Sequence, residues 1–354
     1  MAKRKSLRRS NQAVTAEDVA QRAGVSSMTV SRVMSGAKNV RTATREIVLT
    51  AARQLNYAPN IAARSLASAE HQRIGLLFAN PSAAYLTQFL VGVLDEVGRR
   101  GAQVTLWRVD AGNAVEERKA IQALRAGQVN GVLLPPPLSE SQAVRQECRT
   151  AGLPAVAVAT GKADRGISCV RIDNYQAAYD MTRKLVSLGH RRIGFIKGHP
   201  NQTASGERLA GFEAALREHD ARVRPLIAQG FFDYQSGLRA AERLLSQKQR
   251  PSAIFASNDD MAAAVVSVAH RRGLDVPRDM SVAGFDDTSV ATTLWPELTT
   301  VRQPIGEMAA AAVDLLLKEI RARRYKDPIE PVDLVMPHTL IERQSTAERR
   351  KGGV

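Results

Sequence analysis

Apolar positions along this chain follow two rhythms, and the change falls near residue 73. Before it they recur at helical spacing in short bursts. Thr15-Ala-Glu-Asp18 reads as a capping-box-like helix start, and Val19 and Ala20 give that helix an apolar side. Ala23-Gly24-Val25 is a turn with glycine at its centre. Ser26 caps a second helix, in which Val30, Val33 and Met34 share the inward face. Thr42 opens a third, where Ile47, Val48, Ala51, Ala52 and Leu55 form one stripe. Tyr57-Ala58-Pro59-Asn60 breaks the pattern, and Asn60 is placed to cap one more short helix over 61–67, before a polar linker at 68–72. Residues 1–13 are basic, polar and without period, which predicts a disordered arm.

From Arg73 short apolar runs alternate with longer helical stripes. The runs are 74–79, 104–107, 131–134 and 155–158, then 193–196, 253–256 and 281–285. A representative stripe is Leu86, Phe89, Leu90, Val93, Leu94 and Val97. Repeated strand–helix units predict parallel sheets with helices on both faces, hence an α/β fold. One set ends near Ser168 and another begins near Tyr175, so two subdomains are expected. The boundaries are a helical head at 14–59, a hinge and linker at 60–72, and a body at 73–344. Within the body, 73–171 with 303–331 forms the first subdomain, and 172–302 with 332–344 the second. Residues 345–354 are expected to fray.

Charge sharpens this division. The 354 residues carry 50 Lys+Arg against 35 Asp+Glu, a net +15. Residues 1–64 hold 12 basic and 3 acidic residues; the rest of the chain is nearly balanced. A basic head on a balanced body points to a polyanion contacted by the head. Cys148 and Cys169 form no C-x-x-C, so neither a disulfide framework nor a zinc module is implied. No apolar stretch approaches the roughly 20 residues of a membrane span, and no apolar segment follows the basic start as in a signal peptide. The expected location is the cytoplasm, with no metal and no cofactor.

Helix, glycine turn, helix is the pattern of a DNA reader whose second helix enters the major groove. With Val30, Val33 and Met34 inside, Met28 and Arg32 point outward, and Ser27, Thr29 and Ser31 lie on the flanks or first turn. Arg32 has the fork that reads guanine, and Met28 suits a thymine methyl. Lys38, Asn39, Arg41 and Thr44 follow in a stretch suited to phosphates. The plainer alternative is a small helical bundle with a charged face.

Val14-Thr-Ala-Glu-Asp-Val-Ala20, Ala23-Gly-Val-Ser26, Thr29-Val-Ser-Arg32, Leu55-Asn-Tyr57, Pro59-Asn60 and Ala63-Arg-Ser-Leu66 carry a resemblance. So do Leu188-Gly-His-Arg-Arg-Ile-Gly-Phe195, Arg208-Leu-Ala-Gly-Phe212, Ala256-Ser-Asn-Asp259, Ser281-Val-Ala-Gly-Phe-Asp-Asp287 and Leu298-Thr-Thr300. In this order the chain resembles the lactose-repressor/galactose-repressor (LacI/GalR) family of bacterial transcriptional regulators. The resemblance implies a helix-turn-helix head on a two-subdomain, periplasmic-binding-protein-like body. It implies a repressor acting on a pseudo-palindromic DNA operator as a homodimer, under control of a small-molecule effector. It extends the DNA contacts to Thr15, Ser26, Tyr57, Asn60 and Ala63. Leu66 matches the hinge leucine that wedges into the minor groove and bends the duplex; the alternative is a linker leucine packed on the body. It also points to Ala263 and Leu294 for the dimer contact. The polar end of the chain lacks the heptad seam a tetramer needs.

In open α/β sheets ligands bind beyond the carboxyl ends of the strands. That rule selects Asn80, Tyr85, Pro135, Pro136 and Thr160 in the first set, and Lys197, His199, Asn258, Asp259 and Asp286 in the second. The resemblance adds Arg208 and Phe232 to Asn258 and Asp286 as effector contacts. A guanidinium fork, an aromatic face and a carboxylate suit a sugar or glycoside, with a purine as the alternative. Each residue also has a structural reading: Asn258 as a helix cap, Asp286 in a turn, Arg208 in a surface ion pair. His190 reads as a structural cation at a helix end. Where many relatives carry an acidic residue after the fourth strand, this chain has Ala159. No G-x-G-x-x-G, Walker loop, H-E-x-x-H or G-x-S-x-G occurs, which argues against an enzyme. A sugar-binding protein without a regulatory role, and a ligand-free DNA-architectural protein, are the remaining rivals.

Overall fold

The computed structural model describes residues 14–34, 40–55, 57, 72–164, 166–220 and 225–349. It divides into two compact units, Met1–His71 and Gln72–Val354. In the first, α1 (Ala16–Ala23), α2 (Ser27–Met34) and α3 (Thr42–Gln54) form as the apolar period predicts. The capping box closes in both directions. Asp18 donates its backbone N–H to Thr15 Oγ1 at 3.3 Å, and the Thr15 N–H returns to Asp18 Oδ2 at 2.8 Å. Gly24 takes φ 64°, the left-handed geometry that ends α1 without a Cβ penalty. Val19, Val30 and Val48 are fully buried, one from each helix, and Leu55 and Tyr57 pack against them.

The body holds two six-stranded sheets. The first has the order β11-β5-β4-β3-β1-β2 and the second β12-β10-β9-β8-β6-β7. In chain order the first comprises β1 (Arg73–Phe78), β2 (Gln103–Arg108), β3 (Gly131–Leu134), β4 (Ala155–Val158), β5 (Ser168–Ile172) and β11 (Asp333–Met336). The second comprises β6 (Ile193–Lys197), β7 (Leu226–Gln229), β8 (Ala253–Ala256), β9 (Ser281–Asp286), β10 (Thr299–Arg302) and β12 (Thr339–Ile341). All neighbours run parallel except β10 and β12. The helices that matter for function are α4 (Ala83–Arg100), α5 (Ala114–Ala126), α6 (Gln142–Ala151), α7 (Asn174–Ser187), α8 (Thr203–His219), α9 (Tyr234–Leu245), α10 (Asp259–Arg271), α11 (Ser289–Thr293) and α12 (Ile305–Tyr325). The central strands β3, β4, β8 and β9 are buried throughout, which is why they read as unbroken apolar runs.

Three expectations are corrected. Residues 332–344 do not all belong to the second lobe: β11 pairs in parallel with β5 of the first sheet, and only β12 joins the second. The end of the chain does not fray at 345. Ser345 is fully buried; its hydroxyl donates to the Val282 carbonyl at 2.6 Å and accepts the Thr299 N–H at 2.8 Å. The packed stretch continues to Arg349, whose N–H meets the Leu188 carbonyl at 2.8 Å. His190 is not a helix-end cation. It is buried, and burial pushes its pKa below the ordinary value. Its ring bonds Ser252, Ser281 and the Ala347 carbonyl, so it ties the chain end to the second sheet as a neutral imidazole.

Candidate functional site

The carboxyl ends of β1, β3 and β4 face those of β6, β8 and β9 across the body. Seven of the selected residues line one cleft there: Asn80, Tyr85, Pro136, Arg208, Phe232, Asn258 and Asp286. Arg208 projects from α8 and is 5% exposed. Its Nε donates to Asn174 Oδ1 at 2.8 Å and its Nη1 to the Ser257 carbonyl at 2.5 Å. The same Nη1 stands 3.8 Å from Asp286 Oδ1, and Cζ sits 3.5 Å from the Phe285 ring centroid. The surface-ion-pair reading of Arg208 is therefore wrong: this is a buried pair.

Asp286 ends β9 at φ 109°, a strained value for a residue with a Cβ. Gln303 Nε2 donates to its Oδ1 at 2.6 Å. Burial raises the Asp286 pKa to about 7, against the opposing pull of Arg208 and Gln303. Asp259 lies behind it, not on the lining. Its oxygens accept Thr300 Oγ1 at 2.7 Å and the Thr288 N–H at 2.7 Å, and burial pushes its pKa well up. Asn258 does both jobs considered for it. Its Oδ1 caps α10 by accepting the Met261 N–H at 3.0 Å, and its Nδ2 donates to the Phe232 carbonyl at 3.0 Å. Phe232 holds φ 64° and lays its ring over Gly198, where a Cβ would meet Cζ at 1.9 Å. Tyr85 is buried with no partner for its hydroxyl among the described residues, and burial raises its pKa.

Thr160 is not part of the lining. It is buried, and the preceding Ala159, at φ 55°, lines the cleft instead. Lys197 and His199 also stand off the lining, whereas Ser82, Gln202, Ala204 and Gln303, which pattern reading passed over, belong to it. Each is a single residue at a strand or helix end and carries no periodic signal. Two contacts cross the cleft mouth: Ser82 Oγ donates to Asp260 Oδ2 at 2.5 Å, and Gln88 Nε2 to the Asp287 carbonyl at 3.4 Å. The lobes are closed. The space left is about 30 Å³, room for one or two waters.

In the head, Ser27, Met28, Ser31 and Arg32 are exposed along α2, with Met28 at 64%. Ser26 and Thr29 spend their hydroxyls on each other at 2.9 Å, at the start of α2. Thr15 is the α1 cap, Arg41 and Thr44 flank the start of α3, and Tyr57 packs on the helical core. Lys38, Asn39, Asn60, Ala63 and Leu66 lie outside the described residues. Of the two dimer candidates, Ala263 is covered by its own chain and Leu294 is half-buried beside Trp295, which is 76% exposed. Among the described residues no group of three or more His, Cys, Asp or Glu is placed to hold a metal ion. None of their helices is long and apolar enough to cross a membrane.

A helix-turn-helix head and a two-sheet cleft with a buried Arg–Asp pair fit a ligand-responsive DNA-binding regulator. Residues 15–60 match the family model for bacterial regulatory proteins of the lacI family, and residues 182–346 that for the periplasmic binding protein-like domain. The chain is 33% identical over 335 residues to catabolite control protein A of Priestia megaterium, covering 94% of this chain and 99% of that protein. It is 35% identical over 342 residues to the HTH-type transcriptional repressor PurR of Shigella dysenteriae serotype 1, covering 94% and 97%. Among solved structures, the transcriptional regulator CelR–cellobiose complex superposes with a TM-score of 0.70 at 32% identity, covering 94% of this chain and 99% of that one. The lac repressor dimer bound to operator and the anti-inducer ONPF gives 0.71 at 28% identity, covering 95% and 100%. The chain belongs to the LacI/GalR family of bacterial transcriptional regulators, with a helix-turn-helix head and an effector-binding body.

Proposed function

We propose that this chain is a homodimeric repressor whose affinity for a pseudo-palindromic operator is set by a sugar or glycoside bound between the two lobes. The observation that carries the effector class is the Arg208–Asp286 pair, 3.8 Å apart and closed off from solvent, with the Phe232 ring beside it. A guanidinium fork and a carboxylate take adjacent hydroxyls, and the ring takes the apolar face of a pyranose. The CelR structure, solved with cellobiose, supports this choice. The PurR relative keeps a purine as the alternative. A cleft of about 30 Å³ admits neither without opening, so ligand entry and lobe movement are one event. That movement supplies the two-state element which a regulator needs.

The dimer reading rests on exposed apolar side chains. Val91 and Leu94 on α4, Leu106 and Trp107 on the edge strand β2, and Trp295 all face solvent in the single chain. In the head, the contacts proposed for Ser27, Met28, Ser31 and Arg32 put base readout on α2, with Arg41 and Thr44 on phosphates. Leu66 and its hinge remain the proposed minor-groove wedge.

Thermal-shift screening of mono- and disaccharides against purine bases tests the effector class. A stabilising sugar, lost in Asp286→Ala, is the expected result. Stabilisation by a purine base alone overturns the sugar assignment and leaves the regulator intact.

A further inference from the structure

A second groove, of about 1030 Å³, runs along the first lobe and shares no lining residue with the cleft. Its walls are α6, the segment around Asp164 and Ile167, and the last turns of α12. Two exposed arginines line it whose side chains make no ion pair or hydrogen bond among the described residues: Arg118 on α5 and Arg323 on α12. A third, Arg149, holds only Gln146 Oε1, at 3.0 Å. The other cations of the groove are satisfied. Arg145 pairs with Asp164, and Lys162 meets Glu207 at 3.2 Å.

A glycine makes room for one of these guanidiniums: a Cβ on Gly152 would lie 2.6 Å from Arg323 Nη2. The groove also reaches Glu319, which is 9% exposed; the Ser168 hydroxyl pulls against the burial of its carboxyl, but Oε1 has no hydrogen-bond partner among the described residues. Buried carboxyl oxygens without partners are uncommon, because the lost hydration is not returned. Here the orphan oxygen and the unpaired guanidiniums line the same space.

We propose that this groove is a second ligand site, for a small hydroxylated organic anion. Its anionic group pairs with Arg323, Arg149 and Arg118, as guanidinium forks pair with carboxylate or phosphate. Its hydroxyl donates to Glu319 Oε1. One end of the groove is formed by Glu140 and Thr203, which join the two lobes, so the ligand touches the seam that moves when the cleft opens.

Calorimetry on the full chain at fixed ionic strength, with citrate and ribose 5-phosphate as probes, tests this. One equivalent of at least one probe is expected to bind, and Arg323→Ala is expected to weaken it at least tenfold. The Arg323 side chain is exposed and makes no ion pair or hydrogen bond among the described residues, so that variant should fold. The tighter probe identifies the anionic group as carboxylate or phosphate. Tricarballylate, which is citrate without its hydroxyl, should bind wild type more weakly than citrate does, and Glu319→Met should bind the two alike. Failure of both probes to bind overturns the site. So does binding that survives Arg323→Ala, as attraction to the basic head would, or binding abolished by Asp286→Ala, which would put the anion in the cleft.

Discussion

Glu140 of the first lobe accepts both the backbone N–H and the hydroxyl of Thr203, the first residue of α8 on the second lobe, at 2.9 Å each. Thr203 Oγ1 in turn accepts the Gly161 N–H at 2.9 Å. A carboxylate on a helix N-terminus is favoured by the helix dipole as well as by the hydrogen bonds. The same helix carries Arg208, so this contact fixes the cleft in its closed form.

Glu140→Ala should therefore favour the open body. The contact is partly exposed, so the expected loss is about 1 kcal/mol, several-fold in the closing equilibrium. Small-angle scattering of the free protein should show a larger radius of gyration for the variant, and effector affinity should fall by the same several-fold factor. An unchanged radius and unchanged affinity would show that Ser82–Asp260 and the cleft itself hold the lobes without it.

Asp286 gives a pH signature. Burial, the largest effect, holds its carboxyl up near 7, against 3.8 for an ordinary aspartate. Between those values the folded chain keeps a proton that the unfolded chain has released. Its contribution to stability is full at low pH and is lost as pH rises through about 7. Thermal unfolding of wild type and Asp286→Asn should diverge accordingly, with the variant gaining on wild type from pH 5 to pH 8. A constant difference across that range would mean that Arg208 keeps Asp286 ionised throughout.

The head was legible because each of its elements has a local cause: Thr15 with Asp18, Gly24, and buried valines on every helix. The central strands were legible because burial on both faces leaves a continuous apolar run. What escaped is what only the third dimension decides. Asp333–Met336 and Thr339–Ile341 are two short strands in one stretch of chain, yet one joins each sheet. Ser345 looks like a tail residue by type, but its hydroxyl completes a ladder between Val282 and Thr299. Thr160 is the first polar residue after β4, whereas Ala159 is the one that lines the cleft. Gln202 and Gln303 carry no pattern at all.

The Phe232 ring fits only because residue 198 is glycine. A methyl at Gly198 would fall 1.9 Å from the ring, well inside any contact distance. Gly198→Ala should displace Phe232, which also carries the carbonyl held by Asn258. A cost of about 1–3 kcal/mol in stability is expected from such overpacking. Chemical denaturation measures it, and effector titration should show at least a tenfold loss. Operator binding without effector should stay intact, since the head is a separate compact unit.

On the proposed DNA side, α2 presents two exposed side chains of different kind. Met28 is 64% exposed, an apolar tip fit only for a base methyl or another apolar surface. Arg32, one turn further on, is exposed on the same helix. A bidentate arginine–guanine pair discriminates by about 1–3 kcal/mol, and a phosphate contact does not discriminate. Arg32→Ala should therefore flatten base preference at one position of each half-site by roughly tenfold or more. Arg41→Ala should weaken all sequences alike and lower the salt dependence by about one phosphate contact. Competition binding across a randomised half-site library, repeated at two salt concentrations, separates the two effects. If Arg32→Ala kept the wild-type preference and lost only salt dependence, Arg32 would be a phosphate anchor and base readout would fall to Met28 and the serines beside it.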